Sequence, residues 1–555
     1  VAGAVGVAAP VKRASMTTVI AACAAGTAFE WYDFFVFGTL TPVIAKNFFS
    51  ALDPTAGLLA ALALFGAGFF FRPIGALIFG RIGDRRGRKG AFLITVSMMG
   101  LATFAIGLLP TYAQAGPIAP ILLILMRILQ GTALGGEYGG AVIYVAEHAP
   151  PNRRGLSTAW VQSSAAFGLV GALGIILLSR TTLGEARFAS GDWLAGWRIP
   201  FLVSAVLLAI SIWMRLKLSE SPAFAALQAA GEEARAPYAE AFGRWKNLKL
   251  VLIALIAIMS AQGAAWYTLF FYAEQVFLER FLKIAPTTGT QLLIAITIAS
   301  APLYVVFGWL SDRVGRKWVM WGGMTLALVA FFPAFHAMTH LANPALEAAQ
   351  ARTPVVVIAD PARCSLQFDI VGKAKFATSC DLAKTALSNA GISYENEAAP
   401  AGAVASVRIG DHVVVSREAT GLAPTALKAA AEDVKGRLMS ALAAAGYPAK
   451  ADPAHLNFWG LVGVLMIFVV ACTALFGPIA SCLVELFPTR IRYTAMSLPY
   501  HVGTGWVGGF LPVTAFAIVT ATGDIYSGLW YSVIFTGVSV VTLPFLVPET
   551  RGRPL

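Results

Sequence analysis

Apolar segments recur along almost the whole of this chain, and each is long enough to cross roughly 30 Å of hydrocarbon. Twelve can be counted, at about 17–45, 56–80, 91–110, 118–146, 156–179, 199–216, 248–278, 289–310, 318–340, 457–483, 494–520 and 526–547. Lipid offers a backbone amide no partner, so such segments are predicted to be helices. Hydrophobic residues make up 57% of the chain and charged residues 13%. That composition, with a mean hydropathy of +0.71, lies outside the range of soluble globular proteins. No cleavable leader is evident, so the first segment is expected to stay as an anchor.

The segments fall into two related sets. The sequence FGRIGDRRGRK at 79–89 returns as FGWLSDRVGRK at 307–317, with seven of eleven residues identical. Each copy joins one apolar segment to the next, which is the mark of an internally repeated membrane protein. In the first copy Asp84 is expected to cap a helix end or pair with Arg88, while Gly83 and Gly87 permit close approach. The candidate gating residues are therefore Gly83, Asp84, Arg85, Gly87 and Arg88, with Asp312, Arg313, Gly315 and Arg316 in the second copy. Such a cluster can latch two halves together in one state and release them in another. The plainer reading is that the basic residues only set topology.

A net charge of +12 would point to nucleic acid in a soluble protein. Here it follows the loops. Arg81, Arg85, Arg86, Arg88, Lys89, Arg153, Arg154, Arg313, Arg316, Lys317, Arg490 and Arg492 lie after segments 2, 4, 8 and 10. The loops after segments 1, 3 and 7 carry only Lys46, Arg280 and Lys283. Positive-inside bias then predicts cytoplasmic termini and no nucleic-acid partner.

Asp84 and Asp312 lie 228 residues apart, whereas Glu147-x-x-Pro150-x-x-x-Arg154 and Glu485-x-x-Pro488-x-x-x-Arg492 lie 338 apart. The second half thus holds an insertion of about 110 residues, placed at 341–456. The predicted organisation is a helical set over 17–216, a cytoplasmic linker at 217–247, and a second set formed by 248–340 and 457–548. Strands are expected at Ser365–Val371 and Val404–Ser416, and helices at Leu382–Ala390 and Thr425–Ala445. That makes the insert a small α/β unit on the side opposite the basic turns, the periplasm of a bacterium. Cys364 and Cys380 lie there, and an oxidising compartment favours a disulfide over two free thiols.

Ionisable groups inside membrane segments are costly and mark functional candidates. Glu30 and Asp33 share one face of the first helix, and Arg72 is expected opposite them across segments 1 and 2. A carboxylate beside a guanidinium stays charged, and moved away from it takes a proton, so Asp33 and Glu30 are candidates for proton coupling. A permanent structural ion pair is the alternative. Arg127 either anchors a solute carboxylate or balances an acid elsewhere. Glu137 is expected to pair with a basic loop at the gate. Gln162, Gln262, Trp266, Tyr267 and Tyr304 are candidates to line a cavity, and His501 is a candidate proton relay. There is no phosphate-binding loop following a strand and no metal-ligand spacing, so no cofactor and no metal is expected.

These features resemble the major facilitator superfamily and, more narrowly, its metabolite:proton symporter family. The residues carrying the resemblance are EWYDFFVFG at 30–38, FRPIGALIFGRIGDRRGRK at 71–89, RILQGTALGGEYGGA at 127–141, SESPAF at 219–224, ELFPTRIRYTAMS at 485–497 and PETRGR at 548–553. The resemblance implies twelve helices in two pseudo-symmetric six-helix bundles, alternating access, and import driven by protons. It also implies a small substrate, an organic acid such as α-ketoglutarate, citrate or shikimate or a zwitterion such as proline or betaine. By motif, Glu30 and Asp33 become the coupling acids, with Arg72 and Arg127 the buried bases. The chain departs from the family in the size of its 341–456 insert and in His501, where Asn is common. A membrane receptor sensing through the insert, or an enzymatic insert using Cys364, Cys380, Asp411 and His412, are the competing readings.

Overall fold

The computed structural model describes residues 15–51, 64, 66, 68–367 and 376–555. Among these, eleven helices are long and apolar enough to cross a membrane. The chain forms α1 (Met16–Phe48), α2 (Arg72–Arg86), α3 (Arg88–Leu108), α4 (Ile118–His148), α5 (Arg154–Leu183) and α6 (Arg198–Leu216). Then come α7 (Trp245–Phe281), α8 (Pro286–Val314) and α9 (Arg316–Ala342). The shorter α2, of 15 residues, is not among the eleven. It occupies the end of the 56–80 segment, whose beginning lies partly outside the described residues.

The repeated turn separates α2 from α3 and α8 from α9 in the same way. Gly87 and Gly315 sit at its corners with φ of 109° and 118°, a region that side-chain-bearing residues rarely adopt. Between α6 and α7 the linker is folded, with short helices at Pro222–Ala229 and Pro237–Phe242. Its Glu240 pairs with Arg490 at 2.7 Å, and the Tyr238 hydroxyl donates to the Leu77 carbonyl at 2.8 Å.

After α9 the chain leaves the helical bundle. It forms α10 (Pro344–Arg352), β1 (Val355–Ala359), α11 (Ser379–Asn389), β2 (Glu395–Ala398), β3 (Ser406–Ile409), β4 (His412–Val415) and α12 (Pro424–Ala444). The sheet order is β2-β1-β3-β4, with β1 parallel to β2 and antiparallel to β3. Both helices expected from the sequence form. The strands need correction. The stretch expected at 404–416 is two strands, because a two-residue Gly410-Asp411 turn folds it back with Ile409 opposite His412. Ser365–Gln367 is not strand: the Ser365 amide and hydroxyl donate to the Asp381 carboxylate at 2.8 and 3.0 Å instead of to a neighbouring strand. The remainder of that expected strand lies outside the described residues. β1 is one of the two inner strands, and its Val355, Val356, Val357 and Ala359 are buried, the pattern of a strand covered on both faces.

The bundle resumes with α13 (Phe458–Leu486), α14 (Thr489–Thr522) and α15 (Leu529–Leu546). Packing partners repeat from half to half. Just as α3 packs on α4 and α6, α9 packs on α13 and α15. Just as α1 packs on α5, α7 packs on α14. Between halves, α2 meets α14 and α8 meets α5. Both α7 and α14 widen into π-helical turns, at Ala254–Met259, Thr268–Phe281 and Val502–Gly508, irregularities common at functional sites.

The 344–456 segment is seated on the ends of α7 and α14. Tyr394 donates its amide to the Gly523 carbonyl at 2.8 Å, and Lys384 and Asn396 donate to Ala521 and Thr522 at 3.2 and 2.6 Å. At Gly391 a Cβ would lie 2.1 Å from the Phe281 carbonyl, so only glycine lets the segment approach this closely.

Candidate functional site

Two clusters of buried charge stand out, one on the face of the repeated turn and one in the middle of the bundle. On the turn face Asp84 pairs with Arg88 at 2.7 Å and also accepts the amides of Tyr493 and Thr494 at 3.1 and 2.8 Å. It therefore caps the beginning of α14, where free N–H groups and the helix dipole favour an anion. Asp312 repeats this: it pairs with Arg316 at 2.6 Å and accepts the amides of Gly155 and Leu156 in α5 at 3.0 and 2.8 Å. Each aspartate thus reaches from its own half into the other. Gly83 makes room, since a Cβ there would sit 2.0 Å from the Tyr493 ring.

Residues outside the repeated turn complete the cluster. Arg492 donates to Glu147 at 2.6 Å, and Arg154 lies 3.4 Å from Glu485, both pairs crossing between halves. Arg316 also reaches Glu485 at 3.3 Å. Glu220 accepts the amides that open α3, Arg88 at 3.1 Å and Lys89 at 3.2 Å. Glu549 does the same for Arg316 and Lys317 at the start of α9, at 3.0 and 3.2 Å. None of Glu147, Glu485, Glu220 and Glu549 stood among the sequence candidates. The signal was available: the first two belong to the echo that located the insertion, and the others sit in the SESP and PETR motifs.

Two expected gate residues stay out of the cluster. Arg85 is exposed. Arg313 is exposed as well, with its guanidinium 4.0 Å from the Trp309 ring centre. Their positions in the turn point away from the facing half, which is reached by every fourth residue, Asp84 and Arg88 or Asp312 and Arg316. Glu137 also departs from its expectation. It pairs with Arg215 of α6 at 3.4 Å, with side chains 0% and 1% exposed, so its partner is a helix of its own half and not a basic loop.

In the middle of the bundle Asp33 is 1% exposed. Its carboxylate accepts from the Thr103 hydroxyl at 2.7 Å and from the Gln130 amide at 2.9 and 3.0 Å. Gln130 in turn accepts from Arg127 at 3.0 Å. The expected contact from Arg72 to the Glu30/Asp33 face is not a direct ion pair. Arg72 stacks over Phe69 at 4.5 Å, and it joins Asp33, Arg127 and Gln130 in lining a space of only about 10 Å³, roughly one water. The reason is geometric: Thr103 and Gln130, one on α3 and one on α4, fill the coordination sphere that spacing along α1 and α2 left open.

The other half closes over this site with aromatic rings. Trp31 of α1 meets Trp266 of α7 at 5.2 Å, and Phe34 meets Phe69 and Phe271 at 5.8 and 5.6 Å. Tyr267 packs on Phe69 at 5.7 Å. Trp266 donates to the Tyr304 hydroxyl at 3.2 Å. Gln162 donates to the Tyr138 hydroxyl, and the Tyr138 ring stacks on Tyr500 at 3.7 Å, bridging α4 to α14. His501 is buried beside Tyr500, and Gln262 is buried on α7. A further acid missed in the sequence, Glu274 of α7, is buried with one carboxylate oxygen lacking a hydrogen-bond partner. In the 344–456 segment Cys364 and Cys380 form a disulfide.

The model of the sugar (and other) transporter family matches residues 18–243 and 438–555. The proline/betaine transporter of Salmonella typhimurium is 37% identical over 327 residues, covering 57% of this chain and 63% of that protein. This chain therefore spans less than two thirds of that relative's length. The shikimate transporter of Escherichia coli is 38% identical over 321 residues, covering 57% of this chain and 70% of that one. In overall shape the chain is similar to the proton:xylose symporter XylE of the major facilitator superfamily, with a TM-score of 0.60 at 15% identity over 97% of both chains. A double-tryptophan mutant of XylE gives a TM-score of 0.65 at 14% identity, again over 97% of both chains.

Proposed function

This chain belongs to the sugar (and other) transporter family of the major facilitator superfamily, and from that premise we propose that it imports a small organic acid or zwitterion together with protons. The observation that carries the reading is the buried Asp33, held by Thr103 and Gln130 with Arg127 one hydrogen bond further on. A carboxylate in so dry a place needs compensation. When the two halves rock apart and these donors shift, a proton is the simplest replacement. Glu30 on the same helix face is the second acid through which a proton can pass, and His501 is a third group in reach of the interface between the halves.

The solute's carboxylate goes to Arg72 and Arg127, whose guanidinium groups flank Asp33 in the same small space. Gln162, Gln262, Tyr267 and Tyr304 supply polar atoms around it. Opening the aromatic contacts between α1, α2 and α7 makes room, since the 10 Å³ now present holds no metabolite. The Asp84 and Asp312 clusters act as paired latches of the cytoplasmic gate. Gly87 and Gly315 shape the turns that carry them. The 344–456 segment lies in the periplasm, where a Cys364–Cys380 disulfide persists.

Uptake of labelled proline, glycine betaine, shikimate and α-ketoglutarate into energised vesicles tests this reading. Protonophore-sensitive accumulation of one of them, lost in Asp33→Asn, supports proton symport. Accumulation that ignores the proton gradient overturns the coupling assignment.

A further inference from the structure

A cleft of about 530 Å³ lies between the outer end of α7 and the 344–456 segment. That volume is in the range of pockets that enclose whole metabolites. The α7 side supplies Arg280 and Lys283, and the facing wall supplies Asn389 and Lys435. Ile392, Met439, Leu442 and Tyr447 make the rest largely apolar. No carboxylate is among the described lining residues. Lys435 lies 3.6 Å from Glu432 on the same helix, and Glu279 precedes Arg280 in the chain.

Lys283 is held in an unusual way. Among the described residues it is the one non-glycine with a positive φ, 61°, a region that side-chain-bearing residues rarely adopt. Backbone held in such a region marks a functional position more often than a random one. The inserted segment grips the residue at both ends. The Ala451 amide donates to the Lys283 carbonyl at 3.0 Å, and the Lys283 ammonium donates to the Pro448 carbonyl at 3.1 Å. Burial pushes that ammonium down to about 8, as expected of a cation short of countercharge. Arg280 is also oriented, donating to the Asn389 side chain and stacking over Phe516 at 4.5 Å.

We propose that this cleft binds an amphipathic anion, with a carboxylate or phosphate head on Arg280 and Lys283 and an apolar body against Ile392, Met439 and Leu442. Arg280 offers a planar pair of donors, the geometry that suits two oxygens of one head. Lys283 supplies a point charge beside it, and Lys435 adds attraction at the rim. The walls come from a bundle helix on one side and the inserted segment on the other, so an occupant ties the two together. The anion has two sources, a free organic acid or the headgroup of an acidic lipid. The site is separate from Asp33 and does not depend on transport.

The test is equilibrium binding of labelled octanoate to the full purified chain, with octylammonium as a probe of equal carbon number and opposite charge. A parallel arm reconstitutes the protein with phosphatidylglycerol or phosphatidylcholine and measures which lipid it retains. Octanoate is expected to bind and octylammonium not. Arg280→Gln with Lys283→Gln should weaken octanoate by about tenfold or more, whereas the charge-keeping pair Arg280→Lys with Lys283→Arg should retain it. Arg127→Gln, which damages the central site, should leave this binding intact. If octanoate does not bind but phosphatidylglycerol is held selectively and released by the double Gln variant, the anion is a lipid headgroup and the site stands. Octylammonium binding as tightly as octanoate, equal retention of ligand by wild type and a folded double variant, or no binding of either anion overturns the proposal. Should the double variant fail to fold, the two charge comparisons decide: octanoate against octylammonium, and phosphatidylglycerol against phosphatidylcholine.

Discussion

On the turn face, the charges of one half have counterparts in the other: Asp84 and Asp312, Arg88 and Arg316, Glu147 and Glu485, Glu220 and Glu549. In the centre they do not. Asp33, Arg127, Glu137 and Arg215 all belong to α1–α6, and α7 and α8 answer with Trp266, Tyr267 and Tyr304. A duplicated fold thus keeps its symmetry where each half caps and pairs with the other, the arrangement that the proposed latches require. It loses symmetry in the centre, where the charged groups sit in one half and aromatic rings of the other face them. Two sets of buried charge facing each other would repel or neutralise one another, and an aromatic wall excludes water without either cost.

Six substitutions press on this contrast, and the largest effect is expected in the centre. Asp33→Asn should cut gradient-driven accumulation by about 100-fold or more, the outcome that the proposed coupling role of this intramembrane acid requires. Exchange of labelled for unlabelled solute should survive, because no net proton movement is needed. Undiminished accumulation would remove Asp33 from the coupling step.

Next come the latches. Asp84→Ala and Asp312→Ala should each cost the closed turn face about 1–3 kcal/mol, since each leaves two buried helix-opening amides of the opposite half without their acceptor, while Arg88 and Arg316 keep Glu147 and Glu485 at 4.0 and 3.3 Å. Spin-label distances between α2 and α14, and between α5 and α8, report this opening. The two variants should behave alike; a large effect from one alone would break the proposed symmetry. Glu137→Gln should lower thermal stability by about 3 kcal/mol by stranding Arg215, yet leave the proton dependence of uptake unchanged. A shifted proton dependence would move that pair from scaffold to coupling.

The smallest effects belong to the helix caps. Glu220→Ala and Glu549→Ala should cost about 1 kcal/mol each, the usual worth of an N-terminal cap, read as matching drops in thermal midpoint. Unequal drops would show that the linker after α6 and the chain after α15 load their caps differently.

Much of this was legible before any coordinates. The apolar segments implied helices because length and hydropathy are local properties, and the offset of 228 against 338 located the inserted segment. Two of its helices were readable from periodicity. Its sheet was less so: β1 has only five residues and follows directly on the nine-residue α10, and the hairpin turn at Gly410-Asp411 interrupts what looks like one valine-rich run. The choice of partners was least legible. Spacing along α1 put Glu30 and Asp33 on one face but could not say that Thr103 and Gln130 would reach Asp33 before Arg72 did. Glu137 likewise met Arg215, 78 residues away.

The sequence by itself determined that this chain is a duplicated bundle of membrane helices with buried charge, because the cost of exposing polar backbone or burying ions is paid residue by residue and leaves a pattern along the chain. Tertiary structure alone decided which charges pair, that Asp84 and Asp312 cap helices of the opposite half, and that Arg280 and Lys283 face a cleft beneath the inserted segment. Those outcomes depend on how helices rotate and cross, and a hydrogen bond forms or fails over a few tenths of an ångström, a distance no one-dimensional spacing can resolve.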